Sequence, residues 1–290
     1  MKILVTGAAG NLGRAILAKC RGRHTVVGLD ITELPADLAG EDHVRFSIGD
    51  AFDPAFFREH AIGCDAICHT AALHGGHLKT HSQEQFLQTN AIGANMICQT
   101  MVDLGIDRIA FSSTSEITIG REWNRSGPAV ITEHTPACPD SSYSLSKFMA
   151  EQVYSYFSRL HGLHVSNLRY CGFGYLQAQQ VGTNRVSRYL ESTDVAEANL
   201  CCLENDAIRN EVLYVGPINP LSGPDMVTAC ADPHTVLEKY WPRCVDRLEK
   251  AGQPTDSPLW PKLDVTRLCQ ITGWRPEHTF ETMLDQLEDS

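Results

Sequence analysis

The chain has 290 residues, 43% of them hydrophobic, and a formal net charge of -11 at neutral pH. That length and composition allow a sizeable buried core, in one large domain or one domain with a small appendage. The acidic balance, with no basic run to neutralise phosphates, argues against nucleic acid or an anionic membrane surface and leaves small molecules or another protein as expected partners.

The opening "MKILVTGAAG" has one Lys and a short apolar run ended by Gly. It is too brief for the apolar region of a signal peptide, so it is expected to be part of the mature fold. No uninterrupted apolar segment approaches the roughly 18 to 20 residues of a membrane helix, so no membrane partner is expected. Eleven cysteines lie scattered without a CxxC pair, Cys201 and Cys202 being adjacent, which reads as reduced usage with the cytoplasm as expected location.

Along the chain, strand-length apolar runs alternate with helix-length periodic segments. Strands are expected at Ile3 to Val5, Thr25 to Leu29, Val44 to Ile48, Ala66 to His69, Arg108 to Ser112 and His164 to Leu168. Gln83 to Leu104 and Ser141 to His161 carry apolar residues at helical spacing, the second preceded by "TPACPDSS" with its prolines and caps. The order predicts an α/β fold, a parallel sheet with crossover helices. Residues 1–170 are expected to form the core. After them the pattern loosens into "EVLYVG", "PHTVLEKYW" and "DVTRLCQITGW", so 171–290 are expected to be mainly a smaller lobe over the sheet's carboxyl edge, with some segments returning to the core. Ligands bind at that edge in open α/β sheets.

"ILVTGAAGNLG" places Gly7, Gly10 and Gly13 directly after the first strand and at the start of a helix. In that context Gly7 allows the tight turn, Gly10 lets backbone N–H groups approach a pyrophosphate, and Gly13 permits close helix packing. Ala9, Asn11 and Leu12 of the same turn are expected cofactor contacts. The second strand ends "VVGLD", which puts Asp30 where a carboxylate accepts hydrogen bonds from both hydroxyls of an adenosine ribose and repels a 2′-phosphate. NAD is therefore expected over NADP.

This glycine spacing resembles that of the extended short-chain dehydrogenase/reductases, the NAD-dependent epimerase/dehydratase family, and the resemblance continues along nearly the whole chain. "GDAFDP" is similar to the segment where Asp50 and the backbone at Ala51 would hold the adenine ring; "CHTAALHGG" resembles the family's "HLAA" element, which implies Thr70, Ala71 and Ala72 beside the cofactor. "TNAIGAN" supplies Asn90 where the family keeps an active-site asparagine, and "FSST", "YSLSK", "NLRYCGFG", "TDVAEA" and "TGWRP" follow in the family's order. The resemblance implies a Rossmann-type doubly wound parallel sheet with a small C-terminal substrate-binding lobe, Tyr170 near the cofactor, and a homodimer formed through the helices that carry "YSLSK".

Tyr143 and Lys147 in that motif are four apart on an expected helix, hence on one face. A phenol with a reference pKa of about 10 is a poor base at neutral pH, so a neighbouring ammonium and a positive nicotinamide are needed to favour its phenolate. Tyr143 would take the substrate hydroxyl's proton as hydride leaves, and the resemblance implies that Lys147 also binds the nicotinamide ribose. The resemblance also implies a Ser or Thr after the fifth strand that hydrogen-bonds the reacting oxygen; counting forward from the strand selects Thr114, whereas counting back from Gly120 selects Ser115, because "SEITIG" is one residue longer than the family's usual run. Thr114 is preferred because the strand end fixes the geometry. "STSE" resembles the "STSEVYG" of UDP-glucuronate decarboxylases and, more loosely, the Ser-Thr-Asp-Glu of nucleotide-sugar dehydratases, which makes Glu116 a candidate base, although Ser115 stands where a dehydratase would carry Asp.

The run from "GFGYLQAQQ" to "YLESTDVAEA" omits most of the segment that wraps the nucleotide in sugar-nucleotide members, as in compact members such as uronate dehydrogenases, whose substrate is a free sugar acid. Arg185 and Arg188 in that piece are candidates to pair with a substrate carboxylate or phosphate. His69, His74, His77 and His81 cluster in "HTAALHGGHLKTH", but a second paired cluster is missing, so no metal is expected and His74 and His77 are candidate substrate contacts. The leading reading is an NAD-dependent dehydrogenase acting on a secondary alcohol of a sugar, sugar acid or related polyol derivative. An epimerase that returns the hydride is the alternative, followed by dehydration or decarboxylation through Glu116; a non-catalytic NAD-sensing protein is the reading from a different class.

Overall fold

Seven short apolar runs pair into one parallel sheet in the computed structural model, which describes residues 1–120, 128–174, 181–257, 259 and 261–288. They are β1 (Lys2–Thr6), β2 (Thr25–Asp30), β3 (Val44–Ile48), β4 (Ala66–His69), β5 (Arg108–Thr114), β6 (His164–Tyr170) and β7 (Asn210–Val215), in the order β7-β6-β5-β4-β1-β2-β3. The chain leaves β1 for β2 and β3 on one side, then crosses back to β4 on the other. That reversal between β1 and β4 is where an open sheet leaves a crevice at its carboxyl edge.

The strands read as continuous apolar runs because both faces are covered. Alternation sends Ile3 and Val5 to one face, packed with Ile16, Val195, Leu200 and Leu213, and Leu4 to the other, packed with Ile67, Ile97, Phe111 and Tyr154. The first face is covered by α1 (Asn11–Lys19) and α5 (Ser192–Leu203); the second by α3 (Gly93–Leu104) and α4 (Ser142–His161). Ser141 starts α4 with a reciprocal cap: its Oγ accepts from Ser144 N at 3.1 Å, while Ser144 Oγ accepts from Ser141 N at 3.1 Å.

The six expected strands all form, and four of them run on by one or two residues, to Thr6, Asp30, Thr114 and Tyr170. The helical run Gln83 to Leu104 is divided: α2 (Gln83–Phe86) leads into a π-helical turn, Leu87–Ile92, before α3. Beyond residue 170, "EVLYVG" is the edge strand of the main sheet, and "DVTRLCQITGW" lays Leu268, Cys269 and Trp274 on the β1/α1 core, rather than joining the lobe. A separate apolar cluster, with Val186, Leu221, Met226, Leu237, Leu248 and Phe280, forms the interior of that lobe. Two short parallel pairs, Val130–Ile131 with Lys262–Leu263 and Gly172–Gly174 with Tyr189–Glu191, stitch lobe segments to the region beside the crevice.

Candidate active site

The crevice is a cavity of about 1010 Å³ at the carboxyl edge of the sheet. One end is built by the β1–α1 turn. Gly7 has φ +69°, and a Cβ there would lie 2.7 Å from Thr70 Oγ1 and 2.8 Å from Ala71 N; a Cβ on Gly13 would lie 2.1 Å from Gly7 O. Only glycine fits either place. Gly10 caps α1 with no side chain over the first turn, so Asn11 and Leu12 open onto the cavity beside Gly7 and Gly10. The Asp30 carboxylate is braced, Oδ2 accepting from Ala9 N at 2.9 Å and Oδ1 from Thr32 N and Oγ1 at 3.0 Å each. Asp50 Oδ1 accepts from Phe52 N at 2.9 Å, and Asp50, Ala51 and Thr70 to Ala72 complete this wall. A helix start bare of side chains, a carboxylate at the end of β2 and an anionic loop after β3 fit a dinucleotide with free adenosine-ribose hydroxyls, which is NAD. Ala9 and Gly13 support this end without lining it.

The floor between the two ends is fixed by hydrogen bonds. Thr6 Oγ1 accepts from Ala71 N at 3.2 Å and shares a hydrogen bond with His69 Nδ1, 2.7 Å away; Thr70 Oγ1 donates to Thr6 O at 2.6 Å. Burial, helped by the Lys147 charge, holds the His69 imidazole down at about 3, so it is neutral. His69 is thereby a core residue, separated from the other histidines of its cluster.

The other end lies where β5 meets α4. Lys147 is 2% exposed, its Nζ donating to Ser112 O at 2.7 Å and standing 4.6 Å over the Phe111 ring. Burial pushes its ammonium down to about 7, against the attraction of Glu151. Tyr143 is half-buried in the cavity wall on the same face of α4. Burial raises its phenol above the ordinary range, a hydrogen bond with the Thr114 hydroxyl lowers it, and the Glu116 carboxylate raises it again. Thr114 and Ser115 both line the cavity with Tyr143, and the Thr114 hydroxyl is the one that acts on the phenol. Ser115 is 4% exposed and lines the cavity, with its N donating to Tyr170 O at 2.9 Å. Glu116 opens the short helix Glu116–Ile119, its N donating to Thr114 Oγ1 at 3.2 Å, and it also faces the cavity.

Asn90 sits in the π-helical turn, off the cavity. Its Oδ1 accepts from Leu73 N at 3.0 Å, and its Nδ2 donates to Leu73 O at 2.8 Å and to Ser146 Oγ at 2.9 Å. Ser146 Oγ in turn donates to Tyr143 O at 2.8 Å. Asn90 therefore fastens the loop after β4 to the helix that carries Tyr143 and Lys147.

Other expected contacts fall differently. Arg185 lies outside the cavity lining, 5% exposed, with its Nη2 on Glu191 Oε1 at 2.6 Å; an acid six residues along has claimed the guanidinium. Arg188 does line the cavity, and burial lowers its pKa. His77 is turned to the backbone, its Nδ1 accepting from His74 N at 3.0 Å, while His74 borders the cavity and accepts from Gly76 N at 3.1 Å, so the pair caps the turn Gly75–Lys79. Tyr170 lines the cavity, yet its hydroxyl donates away from it to Asn199 Oδ1 at 2.9 Å. Within the shortened segment, residues 175–180 lie outside the described residues. Phe173 and Tyr189, which sequence reasoning missed, wall the cavity beside Arg188 because Gly172 lets the Tyr189 ring lie against its backbone. Only the glycines around Phe173 hinted at that approach. Nearby Cys138 is exposed, its Sγ donating to Thr118 O at 3.3 Å.

The family model for the NAD dependent epimerase/dehydratase family matches residues 3–193. A uronate dehydrogenase of Pseudomonas putida is 32% identical over 182 residues, 62% of this chain and 63% of that protein; for the one of Pseudomonas syringae pv. tomato the match is 30% over 58% of each. The chain thus spans less than two thirds of the length of either relative. A dTDP-glucose 4,6-dehydratase of Streptomyces antibioticus is 28% identical over 97% of this chain and 89% of its own. Among solved structures, a mutated uronate dehydrogenase superposes with a TM-score of 0.72 over 100% of this chain and 86% of its own; at 20% identity that likeness speaks for the fold alone.

Proposed function

This chain belongs to the NAD dependent epimerase/dehydratase family, and from that membership we propose that it is an NAD-dependent dehydrogenase of a secondary alcohol on a free sugar or sugar acid. One observation carries the reading: the Tyr143 phenol, one helical turn from the buried Lys147 and lining the same wall as Thr114, stands in the same cavity as the dinucleotide cradle. Gly7, Gly10, Asn11, Leu12 and Asp30 would hold NAD at one end, with Asp50, Ala51 and Thr70 to Ala72 along its length. Bound NAD supplies a two-electron acceptor with a positive ring.

The chain's own residues manage the proton. Thr114 holds the substrate hydroxyl, and Tyr143 as phenolate removes its proton as the carbonyl forms. The buried Lys147 ammonium lowers the cost of that phenolate, since two opposite charges a few ångströms apart attract strongly away from water. Lys147 donates one N–H to the backbone carbonyl of Ser112, which leaves its remaining N–H groups for the cofactor's ribose. Arg188 at the substrate end favours a carboxylate-bearing ligand, in keeping with the uronate dehydrogenase relatives. In this reading residues 1–170 hold the cofactor and the proton machinery, and the lobe from 171 on shapes the substrate end.

Glu116 supports a second reading, because its carboxylate borders the same cavity and acts on the Tyr143 phenol: a second proton-transferring group would serve dehydration or decarboxylation. Epimerisation uses the same residues and differs only in the fate of the hydride. The test is near-ultraviolet absorbance of the purified protein with excess NAD and hexuronic acids, aldonic acids, free sugars or nucleotide sugars, with products weighed by mass spectrometry. NADH accumulating with a hexuronic acid, lost in Tyr143→Phe with NAD binding retained, is the expected result. Product without NADH would replace it with an epimerase if the mass is unchanged, or with chemistry through Glu116 if water or carbon dioxide has left. Full output from Tyr143→Phe would favour an NAD sensor. All eleven cysteines are free thiols, which supports a reducing compartment such as the cytoplasm, and the apolar outer face of α4 supports a homodimer.

A further inference from the structure

Two consecutive residues of β5 grip two side chains one turn apart on α4. Ser112 O receives the Lys147 ammonium at 2.7 Å, and Ser113 Oγ donates to Glu151 Oε1 at 2.5 Å. Glu151 is 1% exposed and is held from β6 by Arg169, whose Nε donates to Oε1 at 2.9 Å and Nη2 to Oε2 at 2.7 Å. The third arm of that guanidinium, Nη1, donates to Tyr214 Oη at 3.1 Å. Thr118 Oγ1 spends its only hydrogen on Ser115 O at 3.0 Å, so Tyr214 must donate its own to Thr118 Oγ1, 2.8 Å away. The chain of donors runs one way, from a buried charge to the carbonyl of the turn that bears Ser115 and Glu116. A polarised run of this kind is stiffer than its separate bonds.

We propose that Glu151 and Arg169 are a positioning pair that sets the Lys147 ammonium and the Ser115–Glu116 turn in one frame. The proposal rests on the reading that Tyr143 and Lys147 carry the reaction. A brace alone does not need charge, since well-packed apolar residues replace buried ion pairs at little cost. Here the charge has a target: Glu151 is the carboxylate that favours the charged form of Lys147. The other titratable groups about Lys147 are His69 from β4, neutral, His74 from the loop after β4 and Tyr143 from α4. Of these only Tyr143 becomes negative, as the phenolate that Lys147 serves, and the Glu116 carboxylate of the same cavity acts on that phenol; Glu151 is the carboxylate that acts on Lys147 itself.

The test compares Glu151→Gln, the double variant Glu151→Gln with Arg169→Gln, and Tyr214→Phe, with kcat and KM for NAD measured across pH and thermal melting alongside. Removing the Glu151 charge is expected to bring the alkaline decline of kcat/KM for NAD, where Lys147 loses its proton, to lower pH by about one unit. The double variant, which leaves no unpaired charge to impair folding, is expected to move that decline in the same direction by less, because the Arg169 charge leaves together with the carboxylate. Tyr214→Phe cuts only the arm to Ser115 and is expected to lower kcat roughly tenfold with the KM for NAD and the alkaline limb unmoved. An unmoved limb in both Gln variants, with melting temperature alone reduced, would make the pair a structural brace and overturn the proposal. Tyr143→Phe separates the premises: if it abolishes turnover the reading of the site stands whatever the Gln variants do, and if turnover survives, site reading and proposal fall together.

Discussion

At Gly13 one methyl group decides whether α1 can begin where it does. A Cβ there would meet Gly7 O at 2.1 Å and Ala8 Cα at 2.6 Å, both backbone atoms that cannot swing aside. Gly13→Ala is expected to cost about 1 to 3 kcal/mol by overpacking and to weaken NAD binding at least about tenfold as the first turn of α1 shifts. Calorimetric titration with NAD and a thermal melt read both effects. Gly40→Ala is the control, since a Cβ there meets nothing nearer than Ala36 O at 3.8 Å. Residues of this kind were legible in the sequence because backbone approach admits no other side chain. Arg185 and Tyr170 were legible only as positions: whether a guanidinium or a phenol faces the cavity depends on a partner, Glu191 or Asn199, that the local pattern does not couple to it.

At the scale of elements, the strands were visible in their apolar runs but not at their ends. β5 and β6 continue to Thr114 and Tyr170 because the ladder goes on after the side chains have turned polar to meet the cavity. The π-helical turn Leu87–Ile92 was not legible at all, since apolar residues on either side keep helical spacing. Asn90 sits in that turn and answers three groups on two other elements. Asn90→Ala strands the Leu73 amide and carbonyl and frees Ser146, so it is expected to destabilise the fold by about 1 to 3 kcal/mol. Its larger effect should fall on kcat, with NAD affinity nearly kept, because α4 and not α1 loses its tether. Steady-state kinetics beside denaturant melts check that division; NAD affinity falling in step with kcat would contradict it.

At the scale of the whole molecule, one helix gathers several of the exposed apolar side chains into a stripe. Met149, Tyr156 and Leu160 are 41%, 52% and 58% exposed and fall at i, i+7 and i+11 on α4, with Ile92 exposed on the neighbouring helical run. The homodimer proposed above would cover that stripe. Light scattering on the wild type is expected to give twice the chain mass, and Tyr156→Glu with Leu160→Glu the single mass, each pair of buried charges being costly to an interface. A wild type that runs as a monomer would refute the pairing. The lobe was the least legible part, for its apolar cluster draws on short helices spread over about a hundred residues of loose pattern. Among the described residues Cys138 is the only exposed cysteine, and its sulfur hangs from the carbonyl of Thr118, in the short helix that begins with Glu116. A maleimide dye is therefore expected to react first at that sulfur, which hangs from the helix whose first residue, Glu116, lines the cavity. Its colour would report what enters the cavity, including ligands that are never turned over.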